Sequence, residues 1–147
     1  NGLTSLYAAL EVASGTVVGE CRPRHTAADF LAFLTRLART YRRGPLHVIL
    51  DNSSTHTTPA VQAWLAAHPR VQFHFTPTGA SWLNMVEAWF GILTRKSVRR
   101  GSFDTVRALV RHIDRYLAEW NAHPTPFVWT KQPAAIIRKA LRRRVAR

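Results

Sequence analysis

The feature that most constrains the fold is a short apolar run that ends at an acidic residue. Leu46–Leu50 is nearly continuous in apolar side chains, and Asp51 follows it directly. A run of this length bounded by turn-forming residues is typical of a strand that is buried on both faces of a sheet. Open α/β sheets bind their ligands at the edge where such strands end. The run therefore predicts an α/β fold with Asp51 at the ligand-binding edge.

Strand and helix patterns alternate around this run. Strand-forming side chains predict three further strands over Leu3–Val12, Thr16–Cys21 and Val71–Phe75, the first two joined as a hairpin with Gly15 in its turn. A capping box of Thr26 and Asp29 predicts the start of the first helix. Thr58 and Pro59 predict the start of a second, shorter helix.

The second half of the chain is predicted to be mainly helical. Helices are expected over Ser81–Lys96, from near Ser102 through Trp120, and from Pro133, with an extended loop over Asn121–Lys131. The order of elements predicts a single α/β domain over residues 1–147, with a mixed sheet flanked by helices. No apolar run approaches the roughly 20 residues that cross a bilayer, so no membrane partner is expected.

Positive charge is concentrated in the second half. The chain carries 21 Lys and Arg against 8 Asp and Glu, and residues 95–147 hold fourteen basic and three acidic side chains. This surplus indicates a polyanionic partner, with nucleic acid the first candidate, although a charge run can also be only a solvated helix face. Some of the candidate DNA-binding residues lie in a basic C-terminal helix or tail over 132–147. The full set is Arg95, Lys96, Arg99, Arg100, Arg107, Arg111, Arg115, Arg138, Lys139, Arg142, Arg143 and Arg144.

Two carboxylates are the candidate metal ligands. Asp51 lies at the predicted strand end, where it could instead begin an Asx-turn. Glu87 lies at the border of an apolar helical stripe, and no cation occupies the neighbouring helical positions. This pattern favours a metal or proton-transfer role for Glu87, and the alternative is an ion pair with a residue from elsewhere in the fold. Phosphodiester chemistry uses Mg²⁺ held by a few carboxylates. The seven histidines show no paired metal-ligand spacing along the chain and are interpreted as surface or core residues.

The longer motifs resemble one family. The segments LHVILDNSSTH and HPRVQFHFTPTGASWLNMVEAWFGILTRKSVRRGSF are similar to the DDE domain of mariner-like bacterial insertion-sequence transposases. The segments YAALEVASGTVVGE and WNAHPTPFVWTKQPAAII extend the resemblance to nearly the whole chain. Thirty-five residues, 52 to 86, separate Asp51 from Glu87, which fits the spacing of that family.

This resemblance implies an RNase H-like fold and a DNA-cutting activity. It implies Mg²⁺- or Mn²⁺-dependent cleavage at transposon ends, strand transfer into double-stranded target DNA, self-association on that DNA, and a nucleoid-associated place in the bacterial cytoplasm. Asp51 matches the second and Glu87 the third metal-binding carboxylate. Supporting positions around them are matched by Asn52, His56, Ser81, Trp82 and Asn84.

The first catalytic Asp of the family is not matched. Family members carry it on the strand that precedes the opening hairpin, and the acids nearest that place, Glu11, Glu20 and Asp29, are poor substitutes. We therefore expect an N-terminally truncated fragment that is inactive alone. The alternatives are an inactive remnant that binds DNA or an intact transposase, and an RNase H-like nuclease or resolvase, against which the block from Ser81 to Glu87 argues.

Overall fold

The computed structural model describes residues 4–76, 85–98 and 101–124. The strands are β1 (Ser5–Leu10), β2 (Val17–Arg22), β3 (Leu46–Leu50) and β4 (Val71–Phe75). The helices are α1 (Ala27–Thr40), α2 (Pro59–Ala67), α3 (Met85–Leu93) and α4 (Val106–Ala122), with a short 3₁₀ turn at Ser54–His56 and a π-helical turn at Thr94–Val98. The predicted order of elements is confirmed as far as α4. The predicted helix from Pro133 lies outside the described residues.

Strands β1 and β2 form the predicted hairpin. They pair antiparallel, with Ser5 opposite Arg22 and Leu10 opposite Val17. Gly15 has a φ of 78° in the connecting turn, and its N–H donates to the carbonyl of Glu11 at 2.7 Å. A residue with a side chain is strained at such a positive φ, so the turn favours glycine.

Strands β3 and β4 pair in parallel. Leu46 lies opposite Val71 and Leu50 lies opposite Phe75. The Thr76 N–H extends the ladder by donating to the Leu50 carbonyl at 2.8 Å. In the described part of the chain, no ladder joins this pair to the hairpin, so the predicted mixed sheet is present as two two-stranded sheets.

Helix α1 covers one face of both sheets. Its Thr26 N-cap and Asp29 form the predicted capping box. Phe30, Phe33 and Leu34 lie in one core with side chains from the hairpin and from the β3–β4 pair. This first core also includes one side chain from α2. Its members are Tyr7, Phe30, Phe33, Leu34, Leu37, Leu50 and Val61. One helix therefore holds the two sheets side by side.

Helices α3 and α4 cover the opposite face of the hairpin. A second core contains Trp89 and Leu93 of α3, Ile113 and Leu117 of α4, and Val17 of β2. Trp89 has no exposed surface, so this side chain packs wholly inside the second core. None of the described helices is both long enough and apolar enough to cross a membrane.

Two predictions about the edges and faces of elements are wrong. Strand β3 is not buried on both faces, because His47 is exposed and Ile49 is 51% exposed. Helix α4 begins at Val106 and not near Ser102, because the Thr105 hydroxyl accepts a hydrogen bond from the Ala108 N–H and caps the helix there.

The same helix is longer at its C-terminal end than the sequence indicates. It continues through Ala122, so the first two residues of the predicted loop are helical. The Asn121 side chain explains the extension, since it accepts from the Val17 N–H at 2.8 Å and donates to the Val17 carbonyl at 2.7 Å. This contact holds the last turn of α4 against β2.

Candidate active site

Asp51 lies where the sequence predicts it, directly after the C-terminal end of β3. Its side chain is 52% exposed and is therefore accessible to a ligand. Within residues 4–76 no backbone N–H donates to its carboxylate, which removes the support for a turn-capping Asx role. The carboxylate is free to serve a ligand at the end of the β3–β4 pair.

The partner of Asp51 is His56. The His56 Nδ1 atom lies 2.9 Å from the Asp51 carbonyl oxygen and 3.1 Å from its Oδ1. Because a carbonyl oxygen only accepts hydrogen bonds, Nδ1 carries the hydrogen and donates to the carbonyl oxygen, while Oδ1 lies beside it at ion-pair distance. The imidazole is 14% exposed and stacks on Phe30, with ring centroids 4.3 Å apart. The stacking and the hydrogen bond together hold the imidazole beside the Asp51 carboxylate.

The 3₁₀ turn explains how His56 reaches back to Asp51. The His56 N–H donates to the Ser53 carbonyl at 3.0 Å, which folds the six-residue segment from Asp51 to His56 back towards the end of β3. Helix α1 supplies the Phe30 ring on which the imidazole rests. His56 thus lies beside the candidate ligand Asp51, and its supporting role stays a prediction.

The structure describes only part of the remaining predicted site residues. Glu87 lies in α3, but its side chain is outside the described residues. Asn52 is an exposed residue after Asp51, whereas Ser81, Trp82 and Asn84 lie outside the described residues. Across the described side chains no three His, Cys, Asp or Glu residues converge as metal ligands. A metal shared by Asp51 and Glu87 stays a prediction.

Three further carboxylates, at Glu11, Glu20 and Asp29, have structural partners. Burial by itself raises the pKa of Glu20, but hydrogen bonds from Arg22 and Arg36 outweigh burial and lower that pKa. Hydrogen bonds from the Thr26 hydroxyl and N–H, and then from Arg22, lower the pKa of Asp29.

Glu11 accepts a hydrogen bond from the Ser14 hydroxyl at 2.9 Å. It also accepts one from the Tyr41 hydroxyl at 3.4 Å. All three acids are occupied in local contacts, which agrees with the expectation that they are poor replacements for a first catalytic Asp.

The predicted DNA-binding residues that the structure describes are exposed. Arg107, Arg111 and Arg115 are exposed on α4, while Ile113 and Leu117 of the same helix are buried. The π-helical turn presents two more exposed cations, Arg95 and Lys96. The other predicted DNA-binding residues, Arg99, Arg100, Arg138, Lys139, Arg142, Arg143 and Arg144, lie outside the described residues.

Two histidines on the exposed face of β3 and β4 form a pair that the sequence does not predict. The Nδ1 atom of His47 and the Nε2 atom of His74 lie 2.9 Å apart, and the ring centroids lie 5.2 Å apart. The two residues are 27 positions apart in the chain. No local spacing rule finds them, because the strand register brings them together.

A comparison with protein families decides the class of protein. The sequence profile of the DDE superfamily endonucleases matches residues 1–110, a range that contains both Asp51 and Glu87. The chain belongs to the DDE superfamily of endonucleases. No curated protein matches this DDE endonuclease chain.

Solved structures show the fold of this DDE endonuclease chain. A chain of the simian T-cell lymphotropic virus intasome, solved by cryo-EM with PP2A regulatory subunit B56 gamma, superimposes with a TM-score of 0.64 at 18% sequence identity. The match covers 90% of this chain and 46% of that one, so the DDE endonuclease chain spans about half the length of its structural relative. The fold is RNase H-like, as predicted.

A second similar structure is the dimeric form of the HTLV-2 integrase catalytic core domain in complex with magnesium. It matches with a TM-score of 0.47 and 15% identity, over 96% of the DDE endonuclease chain and 86% of the integrase chain.

Proposed function

We propose that this chain is catalytic-domain sequence of a transposase from a mariner-like bacterial insertion sequence. Such an enzyme cuts DNA at transposon ends and joins those ends to target DNA in the presence of Mg²⁺ or Mn²⁺. The observation that carries the proposal is Asp51, an accessible carboxylate at the end of β3 that His56 holds in place inside the region matched by the family.

The donor chemistry fits a hard divalent cation. Carboxylate oxygens are the ligands that Mg²⁺ prefers, and it binds through one or two of them together with substrate phosphate oxygens. Asp51 and Glu87 would hold the ion, which polarises the phosphoryl group and activates the attacking hydroxyl. His56 donates to the Asp51 carbonyl, and this bond keeps Nδ1 within 3.1 Å of Oδ1 of the same residue.

A third carboxylate would come from a further strand that lies beside both β1 and β3 in the sheet. In the described residues β1 pairs only with β2 and β3 pairs only with β4. Helix α1 nevertheless packs on both pairs. A strand paired with both β1 and β3 would join the two sheets into one mixed sheet. The family resemblance puts the first Asp on the strand that precedes β1.

DNA contact is assigned to the exposed cations of α4 and of the π-helical turn. Arg107, Arg111 and Arg115 recur every four residues on the exposed side of α4. Contacts of this kind bind phosphate without reading base sequence. Assembly of several copies on DNA would follow the family resemblance.

Plasmid nicking tests the proposal. A longer protein, in which a strand that carries the first Asp precedes residue 1, should nick supercoiled plasmid with Mg²⁺ or Mn²⁺, and Asp51→Asn or Glu87→Gln should abolish nicking. Asp104→Asn is the matched control, since Asp104 is an exposed acid outside the site. The 147-residue chain alone should not nick.

Each other outcome has a definite meaning. Nicking that survives Asp51→Asn would refute the assignment of the site. Nicking by the 147-residue chain that Glu87→Gln abolishes would refute the need for a further strand. DNA binding without nicking in the longer protein would instead identify an inactive remnant.

A further inference from the structure

The exposed face of the β3–β4 pair carries two histidines that are directed at each other. Side chains alternate between the two faces of a strand, so His47 and Ile49 share one face of β3, and Gln72 and His74 share the same face of β4. The parallel register puts His47 opposite Gln72 and Ile49 opposite His74. The two imidazoles therefore meet along the diagonal, with Nδ1 of His47 at 2.9 Å from Nε2 of His74.

The distance suits two ligands of one metal ion. Imidazole nitrogens bind Zn²⁺ at about 2.0–2.1 Å, and two such bonds at a tetrahedral angle put the nitrogens roughly 3.3 Å apart. The observed separation of 2.9 Å requires the rings to open by a few tenths of an ångström. Both side chains are exposed, so small rotations of the rings can provide this opening.

The donor type decides which ions fit. Neutral imidazole suits Zn²⁺, Cu²⁺ and Ni²⁺, whereas Mg²⁺ prefers carboxylate, carbonyl and water oxygens. We propose that His47 and His74 form a two-histidine binding site for a borderline transition-metal ion. Zn²⁺ and Ni²⁺ are the ions that it would bind, with water molecules as the remaining ligands. The site is separate from the carboxylate site at Asp51 and does not depend on the proposed function.

Metal in this site would connect two strands. Bonds from one ion to β3 and to β4 cross-link elements that are far apart in the chain. An ion that binds the folded state and not the unfolded one raises the thermal unfolding midpoint. The effect would reach the strand end from which Asp51 projects.

Calorimetric titration of the metal-free protein with Zn²⁺ and with Ni²⁺ tests the site. His47→Gln and His74→Gln should each weaken binding by at least about tenfold, because loss of even an outer-shell partner costs roughly 10- to 100-fold in metal affinity. His25→Gln is the matched control and should bind as the wild type does, since His25 is an exposed histidine that stacks on Tyr7 instead. Excess Mg²⁺ should not displace the bound ion.

A measurement on the wild-type protein removes any dependence on variant folding. Substoichiometric Ni²⁺ should broaden the amide resonances of β3 and β4 before all others in ¹H–¹⁵N spectra. Broadening centred elsewhere, displacement by Mg²⁺, or unchanged affinity in both glutamine variants would each overturn the proposal and leave the pair as a hydrogen bond only.

Discussion

At the scale of single residues, the environment of Asp51 separates it from the other acidic side chains near the sheets. Glu20 and Asp29 have arginine or threonine donors that lower their pKa values and fix them in local structure. Among the described residues, His56 is the polar contact of the Asp51 carboxylate, and more than half of the Asp51 side chain is exposed. A carboxylate that is held on one side and open on the other is suited to ligand binding.

Removing the His56 imidazole should destabilise the protein. His56→Ala loses the hydrogen bond to Asp51 and the stacking on Phe30, so we expect the free energy of unfolding to fall by about 1–3 kcal/mol. Urea denaturation monitored by circular dichroism measures the change.

A phenylalanine variant separates the two contributions of His56. His56→Phe keeps an aromatic ring against Phe30 but has no donor for Asp51, so its stability should lie between those of the wild type and His56→Ala. Equal stability of His56→Ala and the wild type would show that neither contact matters for folding.

At the scale of elements, the described residues cover the second edge of β2 with side chains and not with another strand. Asn121 pairs with both backbone groups of Val17, and the Arg36 guanidinium donates to the Gly19 carbonyl at 3.2 Å. Unpaired edges tend to recruit strands from other molecules, and side chains that occupy the edge prevent this. Helix α4 thus both covers a face of the hairpin and protects its edge.

The Asn121 contact should contribute measurably to stability. Asn121→Ala leaves the partly buried Val17 N–H and carbonyl without their partner, and each unsatisfied group costs about 1–3 kcal/mol. We expect a lower midpoint of thermal unfolding and faster aggregation, measured by circular dichroism and light scattering. Glu119→Ala, an exposed change on the same helix, is the control and should stay within about 0.5 kcal/mol of the wild type.

A wild-type midpoint for Asn121→Ala would contradict this interpretation. Water would then replace the amide at the β2 edge, and the last turn of α4 would hold by apolar packing alone. Leu117, buried one turn earlier, would be the main contact between the two elements.

At the scale of the whole molecule, charge is separated from the core. The two apolar cores are shared between α1 and the sheets and between α3, α4 and the hairpin. The arginine row of α4 faces away from the second core. The proposed contacts with DNA phosphates would therefore leave the packing of both cores unchanged.

The arginine row should contribute to DNA affinity in a salt-dependent way. Changing Arg107, Arg111 and Arg115 together to Gln should weaken duplex binding and reduce the slope of log affinity against log salt by roughly two to three. Fluorescence anisotropy with a labelled duplex at increasing salt concentrations measures both quantities.

The control removes the same charge from another surface. Arg39, Arg42 and Arg43 are exposed at and after the end of α1, and changing them to Gln lowers the net charge equally. If that variant loses as much affinity as the α4 variant, total charge governs binding and the α4 row has no special role.

The sequence by itself determined the order of elements, the Thr26 and Thr58 caps, the Gly15 turn and the place of Asp51 after β3. These features depend on residues within one helical turn or one hairpin, which periodicity and capping patterns report directly. The family motifs added the class of protein, which the profile match confirmed.

Only the tertiary structure decided which distant residues meet. The parallel register of β3 and β4 brought His47 to His74, the docking of α4 brought Asn121 to Val17, and α1 supplied Phe30 beneath His56. The exposure of one face of β3 could not be predicted from the sequence either. An apolar run is compatible with burial of one face or of both faces of the strand. Long-range packing sets the register of the strands and the position of each helix on the sheets. Local sequence patterns do not predict either of these.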